Sequence, residues 1–326
     1  MRVVFFGTPD FAVPSLTALL DANVDVAAVV TQPDRPAARS HSQTVAPPVK
    51  RAAVAAGIPV WQPDPPESET FYQQLHDLHA DIGVVVAYGR LLRPELLKIP
   101  RHGLVNIHAS LLPRWRGAAP IQWALLSGDD DTGVAIMRVD AGLDTGAVWQ
   151  EARLAITSAD TAGTLANRLS HLGALTLVHA LPRIAAGQEP TRQVDVGITL
   201  APKIRRDDAR IRWHQSASAI SCRIRAMDPA PGAWTTIGGV DLKLFGPIVV
   251  AAAGTDRSAP VERSDAARRA APAGPPGTVI RGEEQLMIAT EDGAIAIAEV
   301  QPSGRRRISA AEWLRGVHQA AGARFL

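Results

Sequence analysis

Cysteine is almost missing from this chain. Cys222 stands alone among 326 residues, so no disulfide closes within the chain and no cysteine cluster can hold a metal, as expected in a reducing compartment. Long apolar runs are missing too. No stretch approaches the ~18 uninterrupted apolar residues that a membrane-spanning helix needs. The opening Met1-Arg2-Val3-Val4-Phe5-Phe6-Gly7 runs straight into a strand-like segment. Its apolar run is too short for a secretory signal, and no Arg- and Ser-rich transit segment precedes it, so a cytoplasmic protein is expected. Charge of one sign does not dominate: charged residues make up 20% of the chain and the net charge is +2. With 46% apolar residues, a disordered chain is excluded.

What charge there is falls unevenly. Residues 1–200 carry 16 Lys and Arg against 19 Asp and Glu, a net of −3, and residues 201–326 carry 18 against 13, a net of +5. A basic C-terminal part points to a polyanion there, with a chance excess of solvated arginines as the plainer alternative. The length of 326 residues predicts two domains at roughly 100–200 residues each. Val3–Phe6, Val24–Thr31, Ile82–Ala87 and Leu104–His108 read as short apolar strands. Phe11–Leu20, Pro48–Ala56 and Ser68–His79 read as helices between them. That alternation predicts an α/β domain around a mostly parallel sheet covered on both faces, closed by a long helix over Thr161–Ala186 and spanning residues 1–187.

Residues 188–208 have no helical period and hold two prolines, so they read as a linker. From 209 to 326 short strands and turns prevail. Hairpins are expected at Ala233–Ile237 with Val240–Phe245, and at Leu286–Thr290 with Ala294–Val300. Helices over Ser216–Met227 and Ser309–Ala320 flank them, and the whole predicts a small β-barrel-like domain. Residues 251–276, rich in Ala, Arg, Pro and Gly, read as a mobile surface insertion.

Phe6-Gly7-Thr8-Pro9-Asp10 sits where dinucleotide folds carry a glycine loop, yet it has neither G-x-G-x-x-G nor a Walker-type sequence. Gly7 therefore reads as a tight strand-to-helix turn. The densest polar constellation is Asn106-Ile107-His108-Ala109-Ser110-Leu111-Leu112-Pro113, followed by Arg114-Trp115-Arg116-Gly117. Alternation on a strand aims Asn106 and His108 at one face, and at the C-terminal end of a parallel strand that face opens onto the ligand crevice. An amide donor beside an imidazole can polarise a carbonyl and handle its proton; Asn-x-His alone is usually structural, and the Pro113-Arg114-Trp115-Arg116-Gly117 that follows argues against a purely structural loop. Asp144 lies between Gly142 and Gly146, in a loop that fits either a turn or close approach to a partner. His76 and His79 stand at i, i+3 with no third ligand, so no zinc site is expected there.

The block Asn106–Ile121, with Gly142-Leu143-Asp144-Thr145-Gly146 downstream, resembles the formyltetrahydrofolate-dependent formyltransferase family. Phe6-Gly7-Thr8-Pro9, Thr31–Pro36 and Val86-Ala87-Tyr88-Gly89 narrow the resemblance to the branch that acts on methionyl-tRNA, and it continues through Ala201–Ile204 and Arg223–Ala226. It implies a Rossmann-like catalytic domain followed by an OB-fold-like, tRNA-binding β-barrel domain. It implies 10-formyltetrahydrofolate as formyl donor, initiator methionyl-tRNA as acceptor, a monomer, and no metal. Carried over residue by residue, the catalytic trio is Asn106, His108 and Asp144. Ser110, Leu111, Leu112 and Pro113 with Val86, Ala87, Tyr88 and Gly89 line the folate pocket. Arg114 and Arg116, with Lys203, Arg205 and Arg206 at the domain junction, meet tRNA phosphates.

The stretch Ala38-Arg39-Ser40-His41-Ser42 departs from the family's Gly-Arg-Gly-Lys-Lys; Arg39 is kept, while both glycines and both lysines are lost. Arg39 is still expected to contact tRNA. Rival acceptors are an amino-sugar nucleotide, glycinamide ribonucleotide or water, and a non-catalytic RNA-binding protein is the rival from another class. The trio does not separate the acceptors, because it serves the formyl group. The basic second domain favours tRNA.

Overall fold

The computed structural model describes residues 1–37, 40–64, 68–251, 274–281, 285–316 and 322–326. Two compact units make up the chain. The first comprises Met1–Pro120, Asp130–Ile156 and Thr164–Pro202; the second comprises Ile121–Asp129, Thr157–Gly163 and Lys203–Leu326.

In the first unit β1 (Arg2–Gly7), α1 (Val13–Asp21), β2 (Asp25–Val30), the short pair β3 (Arg35–Ala37) and β4 (Ser40–Val45), α2 (Pro48–Ala55), β5 (Val60–Trp61), α3 (Glu69–Asp77), β6 (Ile82–Val86) and β7 (Leu104–His108) follow in order. Val3–Phe6 and all of β6 are buried, as strands covered on both faces must be. The Ser68 hydroxyl caps α3 by accepting from the Phe71 amide at 3.2 Å. After α4 (Pro120–Leu126), β8 (Asp131–Arg138) and β9 (Val148–Ala155) extend the sheet, and α5 (Ala162–Ala185) follows.

The sheet order is β5-β2-β1-β6-β7-β8-β9. The five strands from β5 to β7 are parallel, and β8 and β9 are antiparallel additions that the alternation of strands and helices did not predict. Progress away from β1 reverses at β6, which makes the gap between the C-terminal ends of β1 and β6 the switch point of a doubly wound sheet. On β7, Leu104 packs with Phe6, Val30, Phe71 and Tyr88. Ile107, on the opposite face, lies so close to Gly173 of α5 that a Cβ there would come within 2.7 Å of it. Asn106 and His108 share the Leu104 face.

Beyond β2, Lys50 Nζ donates to both Asp34 oxygens at 2.9 Å, and Gln62 Nε2 donates to Asp34 Oδ1 at 2.7 Å. These bonds, that of Lys50 foremost, hold the Asp34 carboxyl below its ordinary pKa. They pin the entry to the β3–β4 pair.

The second unit holds α6 (Ala217–Met227), β10 (Ala233–Ile237), β11 (Val240–Ala251), β12 (Val279–Arg281), β13 (Leu286–Ala289), β14 (Gly293–Pro302), β15 (Ile308–Ser309) and α7 (Ala310–Gly316). Both expected hairpins form. Gly238 and Gly239 sit at φ +57° and +80°, the left-handed pair that a two-residue hairpin of matching twist requires. The antiparallel order is β10-β11-β14-β13-β12, with β15 also on β14. Along its far edge β14 pairs first with β13 and then with β15, and Gly246 at φ +60° bends β11 where a side chain would strike Ala298. The result is a curled half-barrel. Of the expected insertion over 251–276, residues 252–273 lie outside the described residues, as do residues 317–320 of the expected terminal helix.

Arg307 closes the half-barrel at one end. Its guanidinium stands 3.9 Å from the Phe245 ring centre, donates to Asp228 Oδ1 at 3.0 Å and to Glu299 Oε2 at 2.8 Å. Asp228 is only 7% exposed, so removing its partner strands a buried carboxylate.

Two outcomes follow from these anchors. Arg307→Ala lowers the unfolding free energy of the second unit by about 2 kcal/mol in urea melts, and Arg307→Lys restores little of it, because a point charge cannot bridge both carboxylates over a ring. The folded Asp34 pKa lies below the unfolded value of ~3.9, so its bonds stabilise the protein above that pH and fade as pH falls through the folded value. Asp34→Asn therefore melts below the parent at neutral pH, and the two melting temperatures converge in acid.

Candidate active site

The C-terminal end of β7 carries two polar side chains in an otherwise apolar strand. Asn106 is half-buried, and no hydrogen-bond partner for its side-chain amide is recorded among the described residues. His108 is 5% exposed. Its Nε2 lies 2.9 Å from the Trp115 carbonyl oxygen. A carbonyl only accepts, so Nε2 carries the proton of the neutral ring. Nδ1 faces Asp144 Oδ2 at 3.7 Å.

Asp144 arrives from the loop between β8 and β9. The side chain of Asp140 folds that loop back on itself, accepting from the Gly142 amide at 3.0 Å and the Thr145 hydroxyl at 2.8 Å. Asp144 takes φ +51°, and its Oδ2 accepts from the Gly117 amide at 2.8 Å. A Cβ on Gly146 would lie 1.8 Å from the Arg138 carbonyl oxygen, and one on Gly117, itself at φ +126°, would lie 2.6 Å from that of Ala201. Both glycines flanking the site are thus required by close backbone approach. The structure brings Asn106, His108 and Asp144 to one place: an amide with free donors, an imidazole whose Nδ1 faces the carboxylate, and that carboxylate beside it. Such a set can donate to a developing oxyanion and take a proton from a nucleophile.

The expected folate-lining residues divide by burial. Ser110 is fully buried and its hydroxyl donates to the Arg114 carbonyl at 2.5 Å. Leu112, before a cis Pro113, packs on Ala135 and Met137, while Leu111 lies over Gly133 and stays half-exposed together with Pro113. Val86 is buried in β6, and the Tyr88 ring meets Phe6 edge-on in the core at 5.6 Å between centres. Burial raises the Tyr88 phenol pKa. The exposed members of that stretch are Ala87 and Gly89, both at positive φ. A ligand reading of 86–89 therefore rests on Ala87, Gly89 and backbone groups.

Of the expected tRNA contacts, Arg114 is exposed with its guanidinium 5.2 Å over the Trp115 ring. Arg116 is half-buried, and its Nε and Nη2 donate to Gln193 Oε1 at 3.1 and 2.7 Å. Lys203, Arg205 and Arg206 are exposed at the start of the second unit. Arg206 pairs with Asp241 at 2.7 Å and stacks 4.8 Å over Trp234. Arg39 lies outside the described residues. Among the described residues no three His, Cys, Asp or Glu side chains gather to hold a metal, and no helix is long and apolar enough to cross a membrane.

Three groups that support the site escaped sequence reasoning: the Trp115 carbonyl, the Gly117 amide and Gln193. The first two are backbone atoms and carry no residue signal. Gln193 stands within the stretch read as linker, but that stretch pairs with the first unit through Thr191 on Val148 and Leu200 on Arg116.

Models of two families match the chain: formyl transferase over residues 1–181, and formyl transferase, C-terminal domain, over residues 203–318. The chain is 45% identical over 324 residues to a protein of Pelotomaculum thermopropionicum named methionyl-tRNA formyltransferase, covering 99% of this chain and 97% of that one. In fold it is similar to an N-formyltransferase from Helicobacter canadensis solved with folinic acid and dTDP-3-aminofucose, at TM-score 0.67 and 19% identity, covering 93% of this chain and 99% of that one. HypX from Aquifex aeolicus, solved in complex with tetrahydrofolic acid, matches at TM-score 0.63 and 17% identity; the match covers 96% of this chain but only 47% of HypX.

Proposed function

The chain belongs to the formyl transferase family, and on that premise we propose that it transfers a formyl group from 10-formyltetrahydrofolate to the α-amino group of methionine on initiator tRNA, which readies the charged tRNA for translation initiation. The observation that carries the acceptor is end-to-end identity of 45% with a methionyl-tRNA formyltransferase, the basic second unit included.

The trio answers the two charges that the chemistry creates. Attack by the neutral amine on the formyl carbon creates a negative oxygen and a positive nitrogen. The Asn106 amide, with no internal partner, donates to that oxygen. His108 keeps Nε2–H on the Trp115 carbonyl, so its help comes from Nδ1, which as Nδ1–H is a second donor whose charge Asp144 balances. The attacking nitrogen gives up its proton to the Asp144 carboxylate, directly or through a water molecule. As the bond from carbon to N10 breaks, N10 takes a proton and tetrahydrofolate departs as a neutral amine. One proton is relocated and none is consumed. The formyl donor is already activated, so no metal is required.

For folate, the half-exposed Leu111 and Pro113 with Ala87 and Gly89 are the proposed wall. For tRNA, Arg39, Arg114, Arg116, Lys203, Arg205 and Arg206 are the proposed phosphate contacts. All three catalytic groups come from one chain, so a monomer suffices, and the cytoplasm is the proposed compartment.

Offered charged initiator tRNA, charged elongator tRNA and a dTDP-amino sugar in parallel with 10-formyltetrahydrofolate, the enzyme formylates the initiator tRNA. Formylation of the amino sugar alone overturns the acceptor. Asn106→Ala, His108→Ala and Asp144→Ala each lower kcat by about 10²–10³-fold, and normal turnover in all three refutes the trio. Replacing Lys203 and Arg205 together with Ala flattens the plot of log affinity for tRNA against log salt by about one unit per lost phosphate contact. An unchanged slope removes them from the interface.

A further inference from the structure

The stretch from Thr191 to Ala201 runs along the supports of the trio, and one of its side chains joins two of them. Gln193 Nε2 donates to the carbonyl oxygens of Asp144 at 2.9 Å and Gly146 at 2.7 Å. Its Oε1 accepts both bonds from Arg116 described above. A primary amide offers two donors and an acceptor at one tip, and here all are engaged. The two donors hold the loop that bears Asp144. The acceptor holds the loop that supplies the Trp115 carbonyl to His108 and the Gly117 amide to Asp144.

The loop of Trp115 and Arg116 is gripped a second time by the same stretch. The Trp115 amide donates to the Thr199 hydroxyl at 2.8 Å, the Arg116 amide to the Thr199 carbonyl at 3.0 Å, and the Ala201 amide to the Arg116 carbonyl at 2.7 Å. Trp115 and Asp144 stand at φ +61° and +51°. Non-glycine residues keep such conformations only where the surroundings over-determine them. Between these two loops Gln193 joins the Gly117–Asp144 bond as a further side-chain bridge, and the separation of the loops sets the distance from His108 Nδ1 to Asp144.

We infer that Gln193, clamped by Arg116, is a positioning residue for formyl transfer: it aims the Asp144 carboxylate at His108 while touching no substrate. This rests on the trio proposed above. The chemistry of the tip makes the inference specific. A glutamate at 193 still accepts from Arg116, but as a carboxylate it cannot donate to either carbonyl. It therefore keeps the shape and the clamp and loses the hold on the Asp144 loop.

The test is a double-mutant cycle in single-turnover formylation, with Gln193→Ala, Gln193→Glu, Asp144→Asn and the two double variants in the full-length enzyme. Both Gln193 variants lose about ten- to hundredfold in kcat, as a misplaced catalytic group does. Their KM for 10-formyltetrahydrofolate stays within about twofold of the parent, because the loss falls on the transition state. In the Asp144→Asn background either Gln193 change costs less than about threefold, since the group it aims has lost its function. A kcat within about twofold of the parent for Gln193→Glu, or the full loss repeated on top of Asp144→Asn, overturns the inference. Asp144→Asn read alone reports on the trio itself, so normal turnover there locates the failure in the parent assignment. If Gln193→Ala does not give a cooperative melt, the isosteric Gln193→Glu carries the cycle.

Discussion

The site turns on the hydrogen bond between His108 Nε2 and the Trp115 carbonyl. A carbonyl accepts and never donates, so this one contact places the ring proton of the neutral imidazole on Nε2 and turns Nδ1 toward Asp144. It fixes the ring that stands between the Asn106 amide and the Asp144 carboxylate, and the proposed mechanism needs all three held in register.

The fold explains how three side chains far apart in the chain arrive together. Pleating puts Asn106 and His108 on one face of β7, at the C-terminal edge where a doubly wound sheet opens. The antiparallel β8 lies alongside β7, pairing Ala135 with His108. The loop to β9 leaves from Arg138, opposite Val105, and folds back so that Asp144 reaches His108. A purely parallel continuation would have needed a helical crossover at this point and would have sent the chain over a face of the sheet. The loop after β7 completes the arrangement with backbone groups, the Trp115 carbonyl for the imidazole and the Gly117 amide for the carboxylate.

Strand period was enough to predict that Asn106 and His108 share a face, and the Gly-flanked Asp144 was visible as an unusual loop. Their meeting was not visible, because nothing local in the chain encodes a contact between β7 and a loop beyond β8; it came from family resemblance. The antiparallel β8 and β9 were missed because their pairing direction depends on connection geometry. The motif places Tyr88 in the folate wall, and its ring instead turns into the core against Phe6. A motif records that a residue type is needed and leaves open whether it serves the ligand or the frame. The stretch before Pro202 shows the same limit: it has no period and reads as linker, yet its polar groups brace the trio.

The central claim is most directly tested by the protonation of His108 itself. Long-range proton–nitrogen spectra of the enzyme labelled with 15N-histidine, assigned through His108→Ala, report each ring nitrogen separately. The account predicts that the neutral His108 ring carries its proton on Nε2 and leaves Nδ1 bare. A neutral His108 carrying its proton on Nδ1, with Nε2 bare, would contradict the account.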